Sequence, residues 1–80
     1  MSEKTLGEKR VRIDFNPSAD GAVDQIKQKS AELINLVKGL PRKDGNTSST
    51  EAEGERQRLI SLALTSYEEA AMWAVKAATA

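Results

Sequence analysis

The chain has 80 residues, with 12 basic and 12 acidic side chains, so its formal net charge is zero. It contains neither cysteine nor histidine, which excludes disulfides, zinc fingers and the Cys–His or Ser–His pairs of nucleophilic enzymes. A DNA- or RNA-binding protein normally shows a basic excess, so we expect no nucleic-acid partner. A chain of this length buries only about 60% of its unfolded surface, and we expect oligomerisation to supply the missing stability.

The location of the protein is predicted from two further features. No apolar run approaches the roughly 20 residues that span a bilayer, so no membrane partner is expected. The first ten residues, MSEKTLGEKR, lack the apolar stretch of a secretory signal. Together with the lack of cysteine, these features predict a cytoplasmic protein.

Residues 1–18 are predicted to form an extended arm. Its apolar positions Val11, Ile13 and Phe15 alternate with charged ones, and a period of two is typical of a strand. The NPS sequence at 16–18 ends this run, because the residue before a proline avoids the helical conformation. Since so short a strand is unstable alone, we expect the arm to lie along helices of its own or another subunit.

Two helices are predicted to follow, forming one helical-hairpin domain over residues 19–80. The first, about 19–39, begins with Ser18 or Asp20 as its cap and carries a heptad seam. Residues 40–50 are rich in turn formers and predict a loop. The second helix, about 51–78, carries two apolar stripes. The seam is Val23, Ile26, Ser30, Leu33, Val37 and Leu40, widened by Ala31, Ile34 and Leu36; the core stripe is Leu59, Ala63, Tyr67 (or Ser66), Ala70, Ala74 and Ala77, and the second stripe is Ile60, Leu64, Ala71 and Val75.

Two helices of one chain cannot bury two apolar stripes on the longer helix. At 1.5 Å per residue the second helix is about 40 Å long and the first about 30 Å, so one end of the second is unmatched. The stretch YEEAAMWAVKAATA at 67–80 is therefore predicted to pack against other copies of the chain. The predicted fold class is all-α: a helical hairpin with an extended N-terminal arm, assembling into a compact homo-oligomeric bundle that is at least a dimer.

The sequence shows no catalytic or metal-binding constellation. The five glycines are scattered, so no phosphate-binding glycine loop is present. Glu68 and Glu69 are adjacent and point about 100° apart on a helix, which does not make an acid–base pair. We therefore expect no enzyme activity, no metal and no cofactor.

The arm and the first helix carry the residue types of a small-anion site. Guanidinium groups pair with phosphate and an aromatic face stacks on a nucleobase, which makes Arg12 and Phe15 candidates, with Asn16 beside them. Lys27 lies on the first helix, off the seam. A simpler interpretation exists for each: Phe15 as a hydrophobic plug, Arg12 as the polar side of a strand, and Lys27 as a solvated helix position. The residues alone leave both interpretations open.

Two stretches, IKQKSAELINLV at 26–37 and ALTSYEEAAMWAVKAATA at 63–80, resemble the helical-hairpin family of phage anti-defence proteins. These are the anti-CBASS and anti-Thoeris sponges, which sequester cyclic nucleotide messengers. The resemblance implies a homo-oligomer, often a hexamer, that binds cyclic di- or trinucleotides between subunits without degrading them, in the host cytoplasm if the chain is phage-encoded. It rests on Ile26 and Lys27 before Ser30, Leu33 and Ile34, on Arg56 or Arg58 before Thr65, and on Met72 before Lys76 and Ala77.

The resemblance also implies roles for particular residues. In such members a lysine of the first helix contacts the ligand, and Lys27 matches it; a tyrosine upstream stacks on a base, and the nearest aromatic here is Phe15. Arg58 is the counterpart of a basic residue in a second pocket. The alternative function is a non-enzymatic structural or protein-interaction module whose second helix docks on a partner protein. The predicted ligand-binding residues are Arg12, Phe15, Asn16, Lys27, Arg58 and Lys76.

Overall fold

The computed structural model describes residues 3–16, 20–41 and 50–80. Over these residues the chain forms α-helices and no strand: α1 (Leu6–Val11), α2 (Gly21–Lys38) and α3 (Thr50–Ala78). Helices α2 and α3 pack as a hairpin, and α1 packs mainly on α2. The all-helical class and the hairpin are therefore confirmed. The predicted domain boundary at residue 18 and most of the predicted loop, residues 42–49, lie outside the described residues.

The predicted extended arm is wrong at its centre, where α1 forms. The side chain of Thr5 accepts a hydrogen bond from the Glu8 backbone N–H at 3.1 Å, and the Glu8 carboxylate accepts one from the Thr5 N–H at 2.8 Å. This reciprocal capping box satisfies two N–H groups that a helix start leaves unpaired. Helix α1 ends at Arg12, which adopts the left-handed conformation with φ 55°. The alternating apolar positions thus span a helix end and a turn.

Helix α1 is held against α2 by a close contact at Gly7. The Gly7 N–H donates to Asn35 Oδ1 at 2.8 Å, and Asn35 Nδ2 donates to Thr5 Oγ1 at 3.0 Å. A Cβ at Gly7 would lie 2.1 Å from the carbonyl oxygen of Ala31, so only glycine allows this approach. The backbone of α1 therefore touches the backbone of α2, which fixes where the end of α1 lies.

The face of α2 that is buried within the chain coincides with the predicted heptad seam only in part, at Val23 and at the widening residues Ala31 and Ile34. The seam residues Leu33 and Leu40 are 41% and 45% exposed, and Leu36 is 63% exposed. Because α1 and α3 both pack on α2, the buried face lies between them and is rotated from the seam. The buried residues of α2 are Val23, Lys27, Ala31 and Ile34.

On α3 the second predicted stripe faces the interior, and of the predicted core stripe Tyr67 packs against the buried cluster. Leu64 and Ala71 are buried and Ile60 packs beside them, whereas Leu59 of the core stripe is about half exposed. Four further large apolar side chains on these two helices also remain well exposed in the single chain. They are Leu36, Leu62, Met72 and Trp73.

The start of α2 follows the sequence-based expectation. Asp20 is the cap, and its carboxylate accepts a hydrogen bond from the Ala22 N–H at 2.8 Å, so this prediction is confirmed. The alternative cap, Ser18, lies outside the described residues. Among the helices that the structure describes, none combines the length and the apolar character needed to cross a membrane.

Candidate ligand-binding site

A cavity of about 620 Å³ lies where the end of α1, the turn after it, α2 and α3 meet. Its volume falls within the range of about 300–1,000 Å³ that is usual for small-molecule sites. Cationic side chains line it together with apolar ones and two carboxylates. The lining comprises Arg10, Arg12, Lys27 and Lys76; Val11, Phe15, Ala71, Met72 and Val75; and Thr65, Glu68 and Glu69.

One wall of the cavity is a regular face of α3. Thr65, Glu68, Met72 and Val75 follow one another at intervals of three, four and three residues, so they lie on one side of the helix. Ala71 beside them is buried at 5% exposure. This wall belongs to a long helix, while the facing wall comes from the end of α1 and the turn that follows.

Lys27 connects that turn to α2. The residue is only 5% exposed, and its ammonium donates hydrogen bonds to the carbonyls of Arg12, at 2.9 Å, and of Phe15. An ammonium carries three donors, so two of them are engaged in holding the turn. Burial lowers the pKa of Lys27, and the nearby charge of Arg12 lowers it further, while Asp24 opposes the shift. The interpretation of Lys27 as a solvated helix position is therefore wrong.

Phe15 presents its ring at the cavity under two cations. The Arg12 guanidinium carbon lies 4.3 Å from the ring centroid, and Lys27 Nζ lies 5.2 Å from it. Both distances are within cation–π range. Phe15 is 53% exposed in the single chain, so it does not plug the core of this chain, and a plug between subunits stays a prediction. An exposed ring beside cations is a surface on which a planar group could stack.

The remaining charged groups of the cavity are anchored on α3. Arg10 Nη1 lies 3.4 Å from Glu68 Oε1, an ion pair that connects α1 to α3. At the other end, Trp73 Nε1 donates to Glu69 Oε2 at 3.4 Å. Lys76 Nζ lies 5.4 Å from the Trp73 ring centroid. The cavity is therefore lined by both cations and carboxylates.

Two of the predicted site residues lie away from this cavity. Asn16 donates to the carbonyl oxygen of Asp20 at 3.0 Å and to Asp24 Oδ1 at 2.8 Å, so it braces the start of α2. Arg58 is exposed on α3 and donates to both carboxylate oxygens of Glu55, at 3.0 and 2.7 Å. Ligand binding by Asn16 and Arg58 stays a prediction. The other predicted residues, Arg12, Phe15, Lys27 and Lys76, meet in the one cavity.

Sequence reasoning missed several of the residues that line the cavity. The predicted binding residues do not include Arg10, and Glu68 enters only as half of an excluded acid–base pair. The available signal was the helical spacing of Glu68 with Thr65 and Met72, which predicts a shared face. It does not show which element that face meets.

A helical hairpin whose cavity combines cations with an exposed aromatic ring has the features of a small-anion-binding protein. Residues 8–79 match the family model of the Acb2/Tad1 hairpin domain. The chain therefore belongs to the Acb2/Tad1 hairpin family of anti-CBASS and anti-Thoeris sponges. At the family level these are anti-defence proteins that bind cyclic nucleotides, known for binding and not for catalysis. No curated protein matches the chain, and no solved structure matches it.

Proposed function

We propose that this chain binds and sequesters cyclic oligonucleotide second messengers without degrading them. Cyclic dinucleotides are the first ligand class and cyclic trinucleotides the second. Binding removes the messenger of a CBASS-type immune response in the host cytoplasm. The observation that carries this proposal is the convergence of Arg12, Phe15, Lys27 and Lys76 on one cavity in a member of this family.

The cavity offers complementary groups for both parts of such a ligand. Guanidinium groups pair with phosphate through parallel hydrogen bonds, which Arg12 at the cavity can supply. The exposed ring of Phe15 offers a stacking surface for a base, a contact worth about 1–3 kcal/mol per base. Lys27 holds the backbone from which both of these side chains extend. Phosphate and base recognition are thus combined on one short turn.

Sequestration without cleavage is supported by the chemistry of the lining. The chain contains no histidine or cysteine to act as base or nucleophile. The two carboxylates of the cavity already have partners, since Glu68 pairs with Arg10 and Glu69 accepts from Trp73. Neither is arranged as the activated nucleophile or the poised base that hydrolysis needs.

We further propose that the chain assembles into a homo-oligomer, a dimer at least and a hexamer by family membership. The support is the set of large apolar side chains that the single chain leaves exposed on α2 and α3. Side chains of this kind are typical of protein–protein contacts when they cluster. They include Leu33, Leu36, Leu40, Leu59 and Leu62.

Isothermal titration tests the proposed function. The purified chain is titrated with a panel of cyclic di- and trinucleotides, with linear dinucleotides as controls. We expect sub-micromolar binding of a cyclic species, which corresponds to a binding free energy of more than about 8 kcal/mol. The bound ligand should be recovered intact after the protein is denatured. Lys27→Ala should weaken binding greatly and leave the oligomer intact. Absence of heat and of thermal shift with every ligand would contradict the proposal.

A second candidate is a protein-interaction module that docks through α3. The observation that favours it is the exposure of Trp73, at 55%, beside Met72, at 49%. Under this alternative Trp73→Ala abolishes binding of a partner protein, and Lys27→Ala has no effect on it. A pull-down with both variants separates the two functions.

A further inference from the structure

We propose that Glu68 recognises a guanine base, so that guanine-containing cyclic dinucleotides are the preferred ligands of this cavity. This inference rests on the proposed function and deepens it, because it names the base that the site selects. It starts from a feature that phosphate binding does not explain: two carboxylates line a cavity that four cationic side chains also line.

Glu68 occupies the middle of the α3 wall. It stands one turn from Thr65 on one side and one turn from Met72 on the other, and all three line the cavity. Its side chain is 48% exposed. Arg10 reaches across from α1 to Glu68 Oε1 at 3.4 Å. This contact holds the carboxylate at the cavity, so Arg10 acts here as a positioning residue.

Arg10 supplies one donor to Glu68, but a carboxylate has further lone-pair sites, and in a phosphate site these need another donor. Like charges placed close together across an interface repel, and phosphate oxygens cannot donate a hydrogen bond. The part of a cyclic dinucleotide that carries donors is the base edge. A base stacked on Phe15 lies in the same cavity as Glu68, so its edge is the group that this carboxylate can satisfy.

Guanine fits a carboxylate better than adenine does. Its N1–H and N2–H₂ groups are neighbouring donors, and they match the two oxygens of a carboxylate, which accepts bidentately. Adenine places one amino group beside the acceptor nitrogen N1, which repels a carboxylate oxygen. In the part of the chain that the structure describes, Arg10 contacts only Oε1 of Glu68, and a carboxylate has about four lone-pair sites in all. Both oxygens can therefore accept from a guanine.

Glu32 provides a matched control. It is exposed on α2, it carries the same charge, and it is not among the residues that line the cavity. Replacing either glutamate by glutamine removes the same charge, so a difference between the two variants reports position and not net charge.

The experiment is isothermal titration of the wild type, Glu68→Gln and Glu32→Gln with three ligands. These are cyclic di-GMP, cyclic di-AMP and the mixed cyclic GMP–AMP. We expect the wild type and Glu32→Gln to bind the guanine-containing ligands roughly tenfold or more tightly than cyclic di-AMP, since a good bidentate base contact gives discrimination of this order. Glu68→Gln should lose this preference while it still binds cyclic di-AMP.

A measurement on the unaltered protein keeps the inference testable if Glu68→Gln does not fold. Cyclic di-IMP lacks the N2 amino groups of cyclic di-GMP and should bind the wild type severalfold more weakly. Three outcomes overturn the guanine assignment and leave sequestration standing. They are equal binding of these two ligands, a wild-type preference for cyclic di-AMP, and a Glu68→Gln variant that binds all ligands more weakly to the same degree. Failure of every cyclic nucleotide to bind overturns the proposed function, and the assignment falls with it.

Discussion

The ammonium of Lys27 lies 5.2 Å from the centroid of the Phe15 ring and also donates a hydrogen bond to the carbonyl of the same residue. A second hydrogen bond runs from Lys27 to the Arg12 carbonyl. One buried side chain of α2 thus fixes the backbone of the turn and lies near the ring that the turn presents. Any effect of Lys27 on ligand binding therefore includes the placement of Arg12 and Phe15.

Lys27→Met should lower both stability and ligand affinity. Methionine fills the space of the lysine stem but leaves two carbonyls without their donor, which costs about 1–3 kcal/mol where the carbonyls are buried. Lys29→Met on the exposed side of α2 is the control and should change the free energy of unfolding by less than about 0.5 kcal/mol. Urea denaturation followed by circular dichroism measures the free energy of unfolding of both variants. Equal stability of the two variants would show that Lys27 does not hold the turn.

The free energy of unfolding of the wild type should rise with pH between the folded-state and the unfolded-state pKa of Lys27. Burial and Arg12 lower the pKa of Lys27 from its ordinary value of 10.5, so below 10.5 the unfolded chain holds more protons at this residue. Where the unfolded state binds more protons, the free energy of unfolding increases with pH. The stability difference between wild type and Lys27→Met should therefore grow over the pH interval just below 10.5. A difference that shrinks over this interval contradicts the prediction.

Gly7→Ala should destabilise the packing of α1 on α2. The added Cβ would meet the Ala31 carbonyl oxygen at 2.1 Å, so the helices must separate. Overpacking of this kind typically costs about 1–3 kcal/mol. Gly54→Ala is the matched control, because nothing lies within 4 Å of a Cβ there and alanine favours the helix by about 0.4–1 kcal/mol. Thermal unfolding should move in opposite directions for the two variants, and a stable Gly7→Ala protein would contradict the close contact.

Arg12→Gly and Arg12→Ala should separate backbone strain from ligand recognition. Arg12 has φ 55°, a left-handed conformation that glycine adopts without the steric cost that a Cβ brings. Both variants lose the guanidinium over Phe15 and should bind cyclic nucleotides more weakly to a similar degree. The glycine variant should nevertheless be more stable than the alanine variant by about 1 kcal/mol. Identical unfolding midpoints would show that the conformation carries no strain.

Leu36→Lys should weaken self-association without unfolding the chain. Leu36 is 63% exposed on α2, so a charge there can stay in water in the single chain. Gln28→Lys, at another exposed position of α2, is the control. Sedimentation velocity should give a smaller species for Leu36→Lys than for the control. If both variants sediment like the wild type, Leu36 lies outside the interface.

Much of the hairpin could be predicted from the sequence because its signals are local. Asp20 caps α2, and Gly39 follows its last residue, at the position where a C-terminal breaker is common. The spacing of the apolar residues in α2 and α3 predicts two helices, whatever surface each helix packs against. The short helix α1 was missed, although its Thr5–Glu8 capping box is also a local signal. A six-residue helix is unstable alone, and α1 forms because it packs on α2.

The site could not be predicted from the sequence alone because the residues that form it are far apart along the chain. Lys27 is buried under carbonyls 12 and 15 residues before it, and Arg10 meets Glu68 across 58 positions. Side-chain periodicity predicts which residues share a face, but the crossing of the helices decides which faces meet. Here that crossing is set by the contact between Gly7 and Ala31, which places the end of α1 beside α3. By itself the sequence determined two helices and the absence of histidine and cysteine chemistry; only their packing decided which charges share a cavity.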